Sequence, residues 1–323
     1  MNHRGASLRV GVVVITHRAR ELLPACLGPV LASPLRPRVL VVNSSSGDGT
    51  VERARELGCE TWVVPRSAFN HGLTREAARH RIACDIVVMM TPDVRPCGPA
   101  FLERLTAPVA RGEAAVAYAR QRPRPEADVI ERIGRAFAFG PKSALRSLAD
   151  YPRWGTATHY CSNACAAWSQ AALDAVGGFP ETLVSEETVV AVRLLEAGFR
   201  IAYVAEAEVV HSHPTRLLAD FRRQFDVGYA RALHRRELLS RGRDEERGRR
   251  YLAMLITSLL RERPGLVPYA IAHTALRYLG YRLGLVGHRL PVPVCRLLSA
   301  QDYYWSSDAL RARIHAVACA SSS

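Results

Sequence analysis

The sequence predicts an α/β protein with a mostly parallel, mixed sheet flanked by helices, followed by a C-terminal helical extension. Two observations carry this prediction. Short valine-rich runs alternate with helix-like stretches from residue 10 onward, and this alternation is typical of a parallel sheet. The runs are also apolar along their whole length, as expected for strands that are buried on both faces.

The first part of the chain contains the predicted parallel strands. Four runs bounded by turn residues are assigned as strands, namely residues 10–15, 38–42, 61–64 and 86–90. Residues 50–57, which Gly58 closes, and residues 73–82 are predicted to form helices between them. Because ligands bind beyond the carboxyl ends of the strands in such sheets, the loops that follow these runs should hold the functional site.

The middle of the chain is expected to add one helix and one strand. Residues 120–132 are rich in proline and arginine, which predicts a surface excursion. Ser185 is expected to cap a helix that ends at Gly198 and has an apolar face made of Val189, Val192 and Leu195. A strand over residues 201–210 then places His211 at its end.

The C-terminal part changes character to helical segments at residues 251–260 and 267–287. Each segment mixes apolar residues with arginine and tyrosine. Such helices either pack on the preceding domain or form an interfacial surface that binds anionic lipid, and both interpretations stay open. The predicted domains are therefore residues 8–235 and 236–323.

The net charge is strongly positive, with 44 Lys and Arg residues against 30 Asp and Glu residues. An excess of this kind suits nucleic acid, a membrane surface or a phosphorylated substrate. Lys142 is the only lysine, so a GC-rich coding sequence explains the arginine content most simply. Nucleic-acid binding is not expected, because aromatic stacking motifs and a helix-turn-helix signal are missing.

Targeting signals are also missing from the sequence. The apolar run at residues 10–15 is too short for a signal-peptide core, and no uncharged apolar segment reaches the length of a membrane span. We therefore expect a cytoplasmic protein that is not integral to the membrane. The eight cysteines are scattered, which favours reduced thiols over a disulfide framework.

Two common classes of nucleotide-binding enzyme are disfavoured by the loops. The turn after the first predicted strand, THRAREL, contains no glycine, whereas a dinucleotide-binding turn needs glycines where the backbone approaches a pyrophosphate. A GxxxxGK[ST] loop is absent as well, which argues against a P-loop phosphotransferase.

Polar motifs follow the predicted strands in a definite order. They are VVNSSSGDGT, FNHG, TRE, TPD, ARQRPRP, SNACAA, GGFPE and IAYVAEAEVVHSH. In this order and spacing they resemble glycosyltransferase family 2, and together they resemble its bacterial rhamnosyltransferase-type branch. The resemblance covers residues 8–230 closely and continues more weakly to residue 305. It implies a GT-A fold with a Rossmann-like sheet, and transfer of a sugar such as rhamnose from a nucleoside-diphosphate sugar.

The resemblance implies roles for several polar residues. A nucleotide-sugar site would be formed by Thr16, Asn43, Ser44, Asp48, Arg75, Thr91, Asp93 and Asn163. The alternatives are structural: residues 43–50 are also favourable turn formers, Arg75 suits a solvated helix face, and Asn163 suits a buried small-residue strand.

A metal site is implied at Asp93 and His211. The family often carries an Asp-x-Asp pair, of which this sequence keeps only the second carboxylate, because Thr91 stands at the first position. The implied cofactor is Mg²⁺ or Mn²⁺, since a hard cation suits carboxylate and diphosphate oxygens. His211 matches the histidine that completes this site in relatives. The alternatives are a loop aspartate and a structural histidine.

The catalytic base is implied at the carboxylate pair Glu186 and Glu187. The resemblance places the base at Glu187, where relatives have aspartate. The first turn of a helix favours a carboxylate that is ionised at neutral pH and ready to accept a proton. The alternative is that two acidic residues merely improve the start of a helix.

The expected reaction is an inverting displacement in which an acceptor hydroxyl replaces the nucleoside diphosphate. The acceptor is expected to be a glycan, glycolipid or small molecule, and the protein is expected in the cytoplasm or attached to the anionic inner face of the cell membrane. Two other functions stay open: a nucleotide-sugar-binding relative without turnover, and a basic nucleic-acid-binding protein.

Overall fold

The computed structural model describes residues 8–240, 242 and 244–313. Residues 314–323 of the predicted extension lie outside the described residues. The described chain folds into one mixed sheet with helices on both of its faces. This is the α/β architecture that the alternating runs predict.

The described residues form nine strands in a single sheet. In chain order they are β1 (Val10–Thr16), β2 (Arg38–Asn43), β3 (Glu60–Val63), β4 (Ile86–Met90), β5 (Arg95–Pro96), β6 (Val116–Arg122), β7 (Ala144–Arg146), β8 (Cys165–Ser169) and β9 (Ile201–Val210). The order across the sheet is β3-β2-β1-β4-β8-β6-β9-β5, with β7 paired to β9. Strands β3, β2, β1 and β4 are parallel, β8 is antiparallel to both of its neighbours, and β6 and β9 are parallel again.

Helices fill the connections between the strands and make up most of the C-terminal part. They are α1 (Leu23–Leu31), α2 (Thr50–Glu56), α3 (His71–Ile82), α4 (Phe101–Ala110), α5 (Val129–Ala138), α6 (Tyr151–Trp154), α7 (Gln170–Ala175), α8 (Glu186–Glu196), α9 (Leu217–Leu233), α10 (Arg235–Leu238), α11 (Asp244–Glu262), α12 (Val267–Leu285) and α13 (Val292–Leu298). Short 3₁₀ turns occupy Leu148–Asp150, Gly155–Ala157, Pro264–Leu266, Gly287–Arg289 and Asp302–Ser306.

The sheet is buried on both faces, as its apolar runs predict. In β1, Val13 and Ile15 contribute to the core on one face, while Val12 and Val14 contribute to the core on the other. Side chains alternate between the two faces of a strand, so a run of apolar residues is stable only where both faces are covered.

Two local expectations are wrong. Ser185 makes no capping hydrogen bond, because its backbone is left-handed (φ 69°) and lacks the extended geometry of a capping residue. Residues 120–132 are not all a surface excursion: β6 extends to Arg122, α5 begins at Val129, and Gln121 is buried. Within residues 120–132, only residues 123–128 lie outside helix and strand.

The C-terminal part of the chain contributes side chains to the apolar core of the sheet. Tyr304 and Trp305 of this part belong to the same apolar core as Phe225 and Tyr229 on α9 and the strand residues Val13 and Ile15. The division into domains at residue 235 stays a prediction. Among the described residues, no helix is both long and apolar enough to cross a membrane.

Glu181 ties the end of the described chain to the loops beside the sheet. Its carboxylate accepts hydrogen bonds from Asn70 Nδ2 (3.2 Å) and Tyr304 Oη (2.9 Å), and it pairs with Arg313 (3.0 Å). Asn70 in turn caps α3, because its side-chain oxygen accepts from the Gly72 and Leu73 amides. The start of α3 is therefore linked through Glu181 to residues more than a hundred positions away in sequence.

Helices α9 and α12 cross in close contact at glycines. A Cβ atom on Gly284 would collide with the carbonyl oxygen of Phe225, and one on Gly280 would collide with that of Phe221. Because the atoms that the new side chain would meet belong to the backbone of α9, a side chain at either position would push the two helices apart.

We expect Gly284→Ala to lower the free energy of unfolding by about 3 kcal/mol, since the added methyl group overpacks this crossing. The matched control is Gly248→Ala, which lies inside α11 with no atom within 4 Å of the new Cβ. That variant should be neutral or stabilised by up to about 1 kcal/mol through helix propensity. Denaturant unfolding of both proteins measures the difference, and equal stabilities would contradict the close crossing.

Candidate active site

The loop after β2 is held by its own polar side chains. Thr16 and Asn43 are register partners on neighbouring parallel strands, and both side chains are buried. Asn43 Nδ2 donates to Ser46 Oγ (2.8 Å) and approaches Thr16 Oγ1 (3.3 Å), while Thr16 Oγ1 donates to the Val42 carbonyl. The two predicted nucleotide-binding residues therefore bond to each other and shape the loop.

Asp48 completes this loop at the start of α2. It accepts hydrogen bonds from Ser46 Oγ (2.8 Å) and Thr50 Oγ1 (2.7 Å). Partial burial would raise the pKa of Asp48, but these hydrogen bonds outweigh it and lower the pKa to about 2. The carboxylate is therefore ionised at neutral pH and stabilises the turn. This is the structural role that the sequence offered as the alternative to nucleotide binding.

Ser44 donates to the Thr16 carbonyl (3.4 Å) and also meets two basic side chains. Its hydroxyl lies 3.0 Å from His17 Nδ1 and accepts a hydrogen bond from Arg66 Nη1 (3.0 Å). The Arg66 guanidinium also lies over the ring of Tyr303, 4.0 Å from its centroid. His17, Arg66 and Tyr303 thus join Ser44 at the ends of β1 and β2, although the sequence motifs did not point to them.

Asp93, His211 and His213 form a cluster with the ligand atoms of a metal site. His211 Nε2 lies 3.3 Å from Asp93 Oδ2, and His213 Nε2 lies 3.5 Å from the same oxygen. The three candidate ligand atoms all lie within 4.8 Å of one another. Thr91 Oγ1 donates to the other carboxylate oxygen of Asp93 (2.6 Å), so this residue supports Asp93 from the position of the missing first aspartate.

A second layer of side chains orients His211. Its Nδ1 lies 2.8 Å from Gln121 Oε1, and because an amide oxygen only accepts, Nδ1 carries the proton. Nε2 is the ring nitrogen that faces Asp93 in the cluster, so a bound cation would meet Nε2 while Gln121 holds Nδ1, as is usual for metal-binding histidines. Gln121 is itself held by Arg135 Nη1 (2.6 Å) and Ser162 Oγ (2.8 Å).

The charges of the cluster suit a cation. Burial alone would raise the pKa of Asp93, but hydrogen bonds with His211 and Thr91 hold it well below its usual range. Burial, the His211 ring and the charge of Arg223 lower the pKa of His213 to about 4, so this imidazole is neutral at physiological pH. An ionised carboxylate with a neutral imidazole is the protonation state that a metal ion requires.

Arg75 and Glu186 form a buried ion pair between α3 and α8. Arg75 Nη1 lies 2.8 Å from Glu186 Oε1, and both side chains are only 4% exposed. Asn163 Nδ2 donates to the same oxygen (3.0 Å), and Trp168 Nε1 donates to Asn163 Oδ1 (2.9 Å) and fixes the amide. Glu186, Arg75 and Asn163 are therefore brought together in a network in which Arg75 and Asn163 both bond to the Glu186 carboxylate, while Arg75 Nε is buried without a partner within the described residues.

Close contact of loop and helix makes this pair possible. A Cβ atom on Gly72, at the start of α3, would collide with the carbonyl oxygen of Pro180 in the GGFPE motif. The FNHG and GGFPE motifs therefore meet directly, which brings the first turns of α3 and α8 together.

Glu187 differs from its neighbour in surroundings and in protonation. It retains partial solvent exposure, whereas Glu186 is buried. Burial of its carboxyl group and the adjacent Glu186 carboxylate raise the pKa of Glu187 to about 8. The expectation of an ionised Glu187 at neutral pH is therefore wrong for the free protein, because these two effects exceed the favourable field of the helix.

One chain of contacts connects the metal cluster with the carboxylate pair. His211 bonds to Gln121, Gln121 bonds to Ser162, and the next residue, Asn163, bonds to Glu186. The SNACAA motif thus lies between the two groups. The nucleotide-sugar roles of Thr16, Asn43, Ser44, Asp48, Arg75, Thr91, Asp93 and Asn163 stay predictions.

Sequence reasoning missed His213 and Gln121. The HSH motif contains both histidines. They stand two residues apart directly after the end of β9, and this pattern could have indicated His213. Gln121 lies in the ARQRPRP motif, but the arginine- and proline-rich run around it predicted a surface excursion and no role for this side chain.

Solved structures with the same fold include proteins in complex with nucleotide sugars. A mannosyltransferase, PcManGT from Pyrobaculum calidifontis in complex with GDP-Man and Mn²⁺, matches with a TM-score of 0.55 and 18% identity over 91% of this chain and 79% of that chain. S. aureus TarS 1–349 in complex with UDP-GlcNAc matches with a TM-score of 0.54 and 13% identity over 96% and 92%. The chain therefore has a GT-A fold, which confirms the prediction.

Sequence comparison is more specific. A protein-family model described as glycosyltransferase like family 2 matches residues 8–229. The O-antigen chain rhamnosyltransferase RfbN of Salmonella typhimurium is 29% identical over 304 residues, covering 93% of this chain and 97% of the relative. The O-antigen chain rhamnosyltransferase WbaN of Salmonella anatum is 32% identical over 272 residues, covering 84% and 86%.

The chain belongs to the glycosyltransferase-like family 2. It is a glycosyltransferase similar to rhamnosyltransferases, as its ordered motifs predict.

We expect Glu186→Gln to destabilise the fold by about 3 kcal/mol, because it leaves the buried Arg75 guanidinium without its counter-charge. Glu187→Gln should be neutral or stabilising above pH 8, since the ionised Glu187 carboxylate is less stable in the folded protein than in water. The sign follows from the raised pKa: the protonated form favours folding, and that contribution is lost as the pH rises through about 8. Unfolding curves at pH 7 and pH 9 measure both effects, and equal destabilisation by the two variants would contradict the pairing.

Proposed function

We propose that this chain is an inverting transferase that moves a deoxyhexose such as rhamnose from a nucleoside-diphosphate sugar to a hydroxyl acceptor in polysaccharide synthesis. The names of the relatives RfbN and WbaN support the sugar and the pathway class. The observation that carries the proposal is that one chain of contacts joins the metal-type cluster to Glu186, the residue directly before Glu187.

Asp93, His211 and His213 would hold a divalent cation, whose chemistry here is to neutralise charge on the diphosphate leaving group. The residues fit this role, because the Asp93 oxygen and two Nε2 atoms converge and Gln121 occupies the remaining His211 nitrogen. Two imidazole ligands favour Mn²⁺ over Mg²⁺, which takes oxygen ligands almost exclusively.

Glu187 is proposed as the general base. Its carboxylate would take the proton of the acceptor hydroxyl while the acceptor oxygen attacks the anomeric carbon. The bond from that carbon to the diphosphate oxygen breaks, the nucleoside diphosphate leaves, and the configuration inverts. Glu186 is less suited, because Arg75 and Asn163 already occupy its carboxylate. Glu187 is the member of the pair that keeps solvent exposure.

We expect Asp93→Asn to fold normally but to lose Mn²⁺-dependent donor binding, because an amide cannot supply the anionic oxygen that a hard cation prefers. Thermal shift with dTDP-, UDP- and GDP-sugars, each with and without Mn²⁺, measures donor choice and metal dependence together. Asp308→Asn, which removes a carboxylate with 55% side-chain exposure, is the matched control. Donor binding that is unchanged in Asp93→Asn would refute the metal assignment.

We expect the rate of transfer to rise with pH and to level off above about 8, since Glu187 cannot accept a proton while it is protonated. Glu187→Gln should keep donor binding, lose about 10² to 10⁴ in kcat and lose this inflection. A variant that retains the inflection would exclude Glu187 as the titrating base. Donor binding without turnover in the unmodified protein would instead indicate a nucleotide-sugar-binding protein.

A further inference from the structure

A long stretch of the C-terminal part contains no acidic residue. From Arg263 to Gln301, 39 residues carry five arginines and neither aspartate nor glutamate. The stretch includes α12 and α13 and the connection between them. The longest acid-free run elsewhere in the sequence, residues 22–47, has 26 residues and two arginines, so a segment of 39 residues with charges of one sign stands apart from the rest of the chain.

The same stretch exposes large apolar side chains. On α12, Ile271 is 51% exposed and Leu279 is 50% exposed, and on α13 Leu297 is 67% exposed. Exposed positions on α12 recur at helical spacing (Pro268, Ile271, Ala272, Ala275, Tyr278, Leu279 and Arg282), whereas Ala270, His273 and Gly280 are buried against the protein. The outward face of α12 is thus apolar over most of its length and basic at its end.

Arginines border the apolar side chains. Arg282, Arg289 and Arg296 are exposed on or beside α12 and α13. A shallow cavity of about 360 Å³ at this border is lined by Arg222, Pro293, Arg296, Leu297, Ser299 and Asp302. The Nε atom of Arg222 is buried and has no hydrogen-bond partner within the described residues. A group with several acceptor oxygens would satisfy it, although Asp302 places one carboxylate at the rim.

We propose that the outward face of α12 and α13 is a membrane-docking surface that lies in the headgroup region of an anionic bilayer. Exposed apolar residues flanked by arginine are what such an interface requires, because the apolar side chains enter the acyl boundary while the guanidinium groups meet phosphate. The acid-free stretch supports a lipid surface over a protein partner, since every charge on it is of the sign that anionic lipid attracts. The surface is separate from the residues proposed for transfer.

The surface adjoins the site through residues 299–303. Ser299 Oγ and the Ala300 amide both donate to Asp226 on α9, which anchors the end of α13. Tyr303, four residues later, packs on Phe69 and lies under Arg66 beside Ser44. Docking through α12 and α13 would therefore hold the candidate site at the membrane surface.

Vesicle co-sedimentation of the full chain, without donor or acceptor, tests the proposal. The protein should bind phosphatidylglycerol-containing vesicles at low salt and neither pure phosphatidylcholine vesicles nor anionic vesicles at high salt. Leu279→Glu with Leu297→Glu should abolish binding. Arg289→Ala with Arg296→Ala should weaken it about 30-fold, because each basic residue near an anionic surface contributes about fivefold.

Matched variants elsewhere on the protein separate this surface from a general loss of charge or solubility. Leu31→Glu with Leu145→Glu replaces leucines of 39% and 43% exposure on α1 and β7, and Arg55→Ala with Arg200→Ala removes two exposed arginines. Both controls should bind vesicles nearly as the unmodified protein does. Equal losses in variants and controls would overturn the proposal. The proposal would also be overturned if the leucine variant still bound vesicles but changed from dimer to monomer in sedimentation velocity. The surface would then be occupied by a second copy of this chain. Donor binding is measured separately, so failure here leaves the proposed reaction standing.

Discussion

The buried ion pair between Arg75 and Glu186 is the interaction on which the geometry of the site depends. It joins the first turns of α3 and α8, with both side chains 4% exposed. Glu187 follows Glu186 in a helix, where consecutive residues point about 100° apart. The contact that turns Glu186 inward therefore also sets the direction of Glu187. Because the Glu187 carboxyl group is largely removed from water and the Glu186 charge is close, the same arrangement raises the pKa of Glu187.

The sheet could be predicted from sequence because its strands are buried on both faces. Such strands must be apolar at every position, so runs such as residues 86–90 are visible without any knowledge of tertiary contacts. Local propensity failed where the backbone took an uncommon conformation. Ser185 is a good capping residue by type, but its left-handed backbone prevents the cap. Proline content obscured Gln121 and Val129, which lie in regular structure.

The site was predictable only where motif order carried it. Asp93 and His211 follow from the motifs at the ends of β4 and β9. Gln121 became part of the site because a register shift between β6 and β9 brings it beside His211, and such long-range pairing leaves no local pattern. The protonation of Glu187 was also beyond sequence reasoning, since desolvation depends on everything packed around the group. The polar residues in the loop after β2 lie close together and bond mainly to one another, and their role in nucleotide binding stays a prediction.

The anchoring of Tyr303, Tyr304 and Arg313 to the loops beside the sheet has a consequence for biosynthesis. A ribosome releases the strands and α3 long before these residues, so the nascent chain can pair β1 to β4 early but cannot yet bond Glu181 to Tyr304. Phe225 and Tyr229 also wait for Trp305 before their rings are covered. Translation and maturation of the site are thus separated in time, and a partly synthesised chain would carry the fold of the sheet before it carries one wall of the site.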